Sequence, residues 1–438
     1  MGATPFHRRL KQFVRYAGST CRLGYWLSQV RDLRRRVSIP ARTLACVGVL
    51  GFAFRVASLM ELASWVEAGA FRKFFRGQRG PLRDCFRDWC KRVELPSLWA
   101  MNDAILAKAR RDKVFRAGTV HGWHVVAIDG TEVLRTSARG CPACQVYHHN
   151  DGRIEYAHRM VLAQTVVRPE AQDEPKHRRR SSGPPPVVWG MEAQRPGEDE
   201  VGAARRLLRR LVQRHGHFCD VLTVDGAYAE APFLNEGRAL GLQAVVRLKD
   251  ERYHVVQDAA GLRRGEPPQE TFATRIGSKQ VVVRLWDTPD LTSWEGLSRP
   301  GRVVYAEETL TWTQWKEGKP KPQQAYRILQ VLTTLEPAQA SARVIWAIAR
   351  ARWGVEHEGV RELKTHWHLD HGFLHHPTGM QAIWALLVTG FNLFQLFLAR
   401  RVRSRRDVEA TDSGLAQRLQ RALREVTEPL GPYLWDTS

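Results

Sequence analysis

Between Trp123 and Lys249, short apolar runs rich in β-branched residues alternate with helical stretches. That order restricts the fold more than any other feature of the chain. "WHVVAID", "YAHRMVLAQTVV" and "PPPVVWGMEA" read as strands. "EDEVGAARRLLRRLVQRHG" reads as a helix whose acidic start and basic remainder suit the helix dipole. "FCDVLTVDGAY" is the next strand, "APFLNEGRALG" a helix closed by Gly241, and "LQAVVRLK" another strand. Strand, helix, strand, helix in succession implies an α/β layer with parallel pairing. The polar, Pro-rich "RPEAQDEPKHRRRSSGP" reads as an exposed loop.

The flanks differ in texture. Residues 1–120 carry apolar residues at helical spacing ("LMELASWVEAGAFRKFF") with Arg and Lys on the other faces, and are expected to form a helical N-terminal region whose basic charge suits DNA binding. Residues 121–250 form the first part of the α/β core. Residues 251–338 contain "QVVVRLWDT", "GRVVYAEETLTWTQ" and "QAYRILQVLTTL", antiparallel strands of a β-rich insertion. Residues 339–400 supply the last core helices, and 401–438 form a charged C-terminal tail with one helix.

The formal net charge of +22 over 438 residues points to polyanionic partners, nucleic acid first. Seven cysteines are too sparse for a disulfide scaffold and fit a reduced, cytoplasmic setting. The start lacks the apolar region of a signal peptide. "AIWALLVTGFNLFQLFLA" (382–399) is about the minimum length for a membrane span. It contains Thr389, Asn392 and Gln395, so it is read as a core helix, with no membrane partner.

Two strands end in Asp-Gly: "VVAIDG" at Asp129 and "LTVDG" at Asp225. Asp-Gly is also the commonest hairpin signal. Together, however, the pair places two carboxylates at strand ends, where open α/β sheets build their sites. A third carboxylate from a neighbouring helix would complete an oxygen-rich site for Mg²⁺ or Mn²⁺. Two such ions would activate a water or a 3′-hydroxyl for phosphoryl transfer. "RWGVEHEGVRELK" (352–364) can supply the third ligand: Arg352 and Glu356 share one helical face, and Lys364 suits a DNA backbone. A solvated amphipathic helix with Glu–Arg pairs is the plain alternative.

"IDGT" (128–131), "VDGAY" (224–228) and "RWGVEHEGVRELK" together resemble the DDE transposases of bacterial insertion sequences, in the subgroup with a Tyr-Arg-Glu-Lys signature. The order matches, with 96 residues between Asp129 and Asp225 and 131 between Asp225 and Glu356, enough for the subgroup's β insertion. The resemblance implies an RNase H-like mixed sheet flanked by helices and interrupted by that insertion. It implies Asp129, Asp225 and Glu356 as catalytic metal ligands for two Mg²⁺ or Mn²⁺ ions, and Arg352 and Lys364 as DNA-binding residues. The implied activity is cleavage at the ends of an insertion sequence and transfer of the 3′-hydroxyl ends into target DNA. The implied assembly is a homodimer that pairs two terminal inverted repeats, in the bacterial cytoplasm at the nucleoid. The signature tyrosine falls at Ala349, and Lys364 follows Glu356 by eight residues rather than seven. An extra residue near Gly359 absorbed as a bulge would restore the spacing, and Glu358 is the rival glutamate. An RNase H-like nuclease or resolvase that does not join, and an inactive basic DNA-binding relative, are the alternative functions.

"CPAC" (Cys141, Cys144) is half of a structural Zn²⁺ site, to which His158 adds a third ligand, with no obvious fourth. His366, His368, His371, His375 and His376 do not form a protease motif, because Arg361 stands where the second His of His-Glu-x-x-His belongs. They are read as flanking the site or contacting phosphate. Of Trp286, Trp294, Trp312 and Trp315, most are read as sheet packing, and the resemblance implies that one stacks on a flipped base.

Overall fold

The computed structural model describes residues 5–75, 83–166, 184–249, 251, 253–316, 319–354, 360–402 and 412–435. The predicted loop at 168–184 lies almost wholly outside them. Among the described residues, ten strands make one mixed sheet: β1 (Val125–Thr136), β2 (Gln145–His148), β3 (Ile154–Thr165), β4 (Val188–Ala193), β5 (Val221–Val224), β6 (Gln243–Leu248), β7 (Glu270–Ile276), β8 (Lys279–Leu291), β9 (Gly301–Lys316) and β10 (Lys319–Thr333). The order is β2-β3-β1-β5-β6-β10-β9-β8-β7, with β4 also on β3. β1, β5 and β6 are parallel, and β3 and β4 are antiparallel. This is an RNase H-like core.

Alternation along the strands divides the interior in two. Val126, Ile128, Leu222, Val224 and Val246 face one core, shared with α7 (Glu200–His215) through Ala204, Leu207 and Leu211. Val125, Ala127, Val221 and Val245 face the other, with Ile345, Ile348 and Ala351 of α10 (Ala342–Gly354). Helices therefore cover both faces, which is why these runs read as continuous rather than alternating apolar sequence.

The β-rich segment is not a separate sheet. The last residues of β10 pair with β6 (Gln330 with Leu248 through Thr333 with Val245), so the insertion extends the core sheet. The segment also contains a helix, α9 (His254–Leu262), and the strand β7, neither of which was expected from the sequence. α10 is held to it by a buried charge pair. Arg350 Nη1 lies 3.0 Å from Glu308 Oε2, and Trp346 Nε1 donates to Glu308 Oε1 at 2.7 Å. Burial brings the Arg350 guanidinium down to about 10 despite Glu308. Glu308→Ala leaves that guanidinium without its carboxylate, and is expected to cost about 3–5 kcal/mol in denaturant unfolding.

The helical N-terminal region comprises α1 (Pro5–Arg15), α2 (Leu23–Ser28), α3 (Ala41–Ala53), α4 (Leu59–Glu67), α5 (Arg83–Arg92) and α6 (Leu95–Arg111). It packs around α12 (Pro377–Arg401), whose most apolar 18-residue window has 94% of its residues buried within the chain. Its polar residues have partners. Asn392 accepts from Val188 N at 2.9 Å and donates to Val188 O at 2.7 Å, closing the free edge of β4, and donates to Asn102 Oδ1 at 2.8 Å. Gly390 lets α3 cross closely, since a Cβ there would sit 2.6 Å from Ala53 N. The C-terminal segment is more than a charged tail. α13 (Asp412–Glu425) and α14 (Gly431–Trp435) bury Leu419, Leu423, Leu430 and Leu434 against the N-terminal helices.

Candidate active site

Every parallel pair of β1 and β5 has one offset: Val125 with Val221, Val126 with Leu222, Ala127 with Thr223. That offset is the 96-residue spacing of the two aspartates. Asp129 and Asp225 each stand two residues past the last of these pairs, in phase with the side chains that face α10. Both side chains are 22% exposed.

The local reasons differ. Asp225 ends its strand and caps the 3₁₀ turn Gly226–Tyr228, accepting from Ala227 N at 2.9 Å. Asp129 is not at a strand end. β1 runs on to Thr136, paired with β3. Nor is Asp129-Gly130 a turn. Gly130 is present because a Cβ there would overlap the carboxyl of Glu200, the first residue of α7, on the opposite face of the strand.

Cations surround the pair. Arg352, at the end of α10 and 3% exposed, places Nη2 3.3 Å from Asp129 Oδ1. Lys249, just past β6 and 61% exposed, places Nζ 3.4 Å from Asp225 Oδ2. Lys364, on α11 (Arg361–Trp367), donates to Glu132 O at 3.0 Å, so it docks α11 onto β1 a short way past Asp129. Glu362, the last glutamate of the cluster, points elsewhere: it lies 3.9 Å from Arg55 Nη2 and accepts from Gln395 at 3.4 Å. Glu356, Glu358 and Gly359 lie outside the described residues. Ala349, at the signature tyrosine's position, is buried in the core beneath the sheet.

Sequence reasoning missed two residues. Tyr228 is fully buried, and its hydroxyl donates to Glu200 Oε1 at 2.7 Å; Arg159 Nη2 lies 3.4 Å from Glu200 Oε2. Burial, and next the Glu200 carboxylate, push the Tyr228 phenol well above its ordinary value, with Asp129 and Asp225 adding to the effect. The phenol thus remains a donor that fixes Glu200 behind Gly130. The only trace in sequence is the tyrosine of "VDGAY"; the acidic start of α7 is equally explained by the helix dipole. Tyr228→Phe is expected to cost about 1 kcal/mol of unfolding free energy, since it strips a half-buried carboxylate of a donor.

Residues 192–393 match the family model of the transposase DDE domain. The chain carries a transposase DDE domain. The match includes Asp225 and the 352–364 segment and begins after β1, so Asp129 lies outside it, on the strand that pairs with β5. No curated protein matches the chain. A DDE transposase acts on DNA with divalent metal. Hard carboxylate oxygens on adjacent strands, with no soft donor beside them among the contacts described, suit Mg²⁺ or Mn²⁺.

The remaining predicted residues separate. Cys141, Cys144 and His158 do come together, and His375, read from sequence as flanking the active site, joins them instead. His376 caps α12, its ring accepting from Gly379 N at 3.3 Å. Trp294 stacks on Tyr253, Trp286 donates to Glu266 O, and Trp312 lies under Lys279; Trp315 is 70% exposed near the β9–β10 hairpin.

Proposed function

We propose that this transposase cuts DNA at the ends of an insertion sequence and transfers the freed 3′-hydroxyl ends into target DNA. Asp129 and Asp225, with Glu356 following α10, would hold two Mg²⁺ or Mn²⁺ ions. When bound, such ions supply Lewis-acid polarisation of the phosphate and activation of the attacking oxygen. The chain's own part is positional. Arg352 holds the Asp129 carboxylate from beneath. Lys249 at the rim neutralises an incoming phosphate. Lys364 fixes α11 to β1, as Arg352 fixes the end of α10 to Asp129. The observation that carries this reading is the parallel pairing of β1 with β5, with an aspartate two residues past the last pair on each side, in a sheet that continues into the matched residues.

End recognition is assigned to the N-terminal helices. A cleft lined by Arg22, Arg42, Arg72, Lys73 and Arg424 supports this assignment. Trp315 is the insertion tryptophan placed against DNA. The working assembly is a homodimer pairing two terminal inverted repeats, in the bacterial cytoplasm.

The test is incubation with DNA carrying the element's ends and Mg²⁺ or Mn²⁺. Joined products are expected. Cut products alone would make the chain a nuclease, and a shifted but intact band a DNA-binding protein. Affinity for end DNA should fall roughly 10³-fold or more between about 50 and 200 mM salt, as counterion release requires for six or more phosphate contacts. A flat salt response in a gel-shift titration contradicts the assignment of these basic residues.

A further inference from the structure

We propose that Cys141, Cys144, His158 and His375 bind one structural Zn²⁺, which fastens the linker between α11 and α12 to the antiparallel β1–β3 pair. The two thiols come from the loop between β1 and β2, His158 from β3, and His375 from the residue before the α12 cap, 231 positions from Cys144. Their ligand atoms all lie within 4.8 Å of one another.

The spacing is that of a tetrahedral site. Zn–S of about 2.3 Å and Zn–N of about 2.0 Å give edges of roughly 3.8 Å between sulfurs and roughly 3.5 Å between sulfur and nitrogen. Here the sulfurs are 3.7 Å apart. Nε2 of His158 lies 3.2 Å from Cys141 Sγ and 3.3 Å from Cys144 Sγ, and Nε2 of His375 lies 3.2 Å from Cys144 Sγ. Cys144 and His158 are buried, and the other two are half-buried. The backbone amide of Cys141 donates to Cys144 Sγ at 3.2 Å, the outer contact that steadies a ligating thiolate. Thiolates and imidazoles select Zn²⁺, whereas the aspartate pair offers only oxygen, so the two sites sort their metals by ligand chemistry.

The position gives the ion a role. Leu134, opposite His158 on β3, lies five residues beyond Asp129 on β1, roughly 15–17 Å away. The clamped linker packs on the same strand through Leu369, Phe373 and Leu374, which line one small pocket with Val133 and Leu134. It joins α11, which carries Lys364, to α12, the central helix of the core. Zn²⁺ would thus fix the helix on the far side of the active-site segment without touching the reacting phosphate.

The inference does not rest on the catalytic proposal, and its test reads metal rather than DNA. The full chain, purified in metal-depleted buffer and loaded with ZnCl₂, should retain about one equivalent of zinc after dialysis, by elemental analysis. Replacement by Co²⁺ should give the visible absorption of a tetrahedral site and the near-ultraviolet charge-transfer band of thiolate ligands. His375→Ala should lose the ion, and His375→Cys, which restores a fourth ligand, should keep it. A wild-type chain that retains no zinc after loading overturns the proposal, as does full retention with an unchanged Co²⁺ spectrum in His375→Ala.

Discussion

Asp225→Asn should lower DNA cleavage by about 10³-fold or more, a loss of roughly 4 kcal/mol or more of transition-state stabilisation. Gel shifts with end DNA should stay nearly unchanged. The substitution keeps the side chain's shape and its acceptor for Ala227 N, and removes only the negative charge. Asp129→Asn should be as inactive but less innocent structurally. Its carboxylate is 3.3 Å from a guanidinium that is 3% exposed, so this variant should also lose about 1–2 kcal/mol of stability. Cleavage at fixed Mg²⁺ and urea unfolding of both variants provide the comparison. If both variants cut DNA normally, or both lose end binding, the aspartate pair is not the catalytic centre.

Glu356→Gln should match the aspartate variants, whereas Glu358→Gln should cost no more than about tenfold. The physical argument is charge. Two carboxylates grip a divalent ion weakly, and a third changes both the affinity and the geometry of the site. Glu356 follows Arg352 by four residues in the sequence, and Arg352 reaches Asp129. A rise in the Mg²⁺ concentration needed for half-maximal cleavage should accompany the Glu356 loss. The reverse ranking of the two glutamates would move the third ligand to Glu358 and shift the register of the whole basic segment.

Much of the architecture was legible in the amino-acid order. Buried parallel strands need continuous apolar runs and covering helices need amphipathic ones, so β1, β3, β4, β5, β6, α7 and α8 (Ala231–Ala239) could all be read locally. The polar residues of α12 likewise separated a core helix from a membrane span. β7 was missed because its residues are alternately half-buried and exposed, with no apolar run to mark them. The extension of the sheet through β10 was missed because strand pairing is a long-range choice that leaves no local trace.

By itself, then, the sequence determined which segments of the parallel core become strands and helices, and it raised two Asp-Gly steps 96 residues apart as candidates for one site. Local periodicity and chain order carry that information. Only the tertiary structure decided that Asp129 lies within a strand, that Gly130 is there to admit Glu200, and that His375 meets a Cys-x2-Cys loop more than two hundred residues earlier. Each of these depends on how close two distant backbones come, and that distance is set by packing.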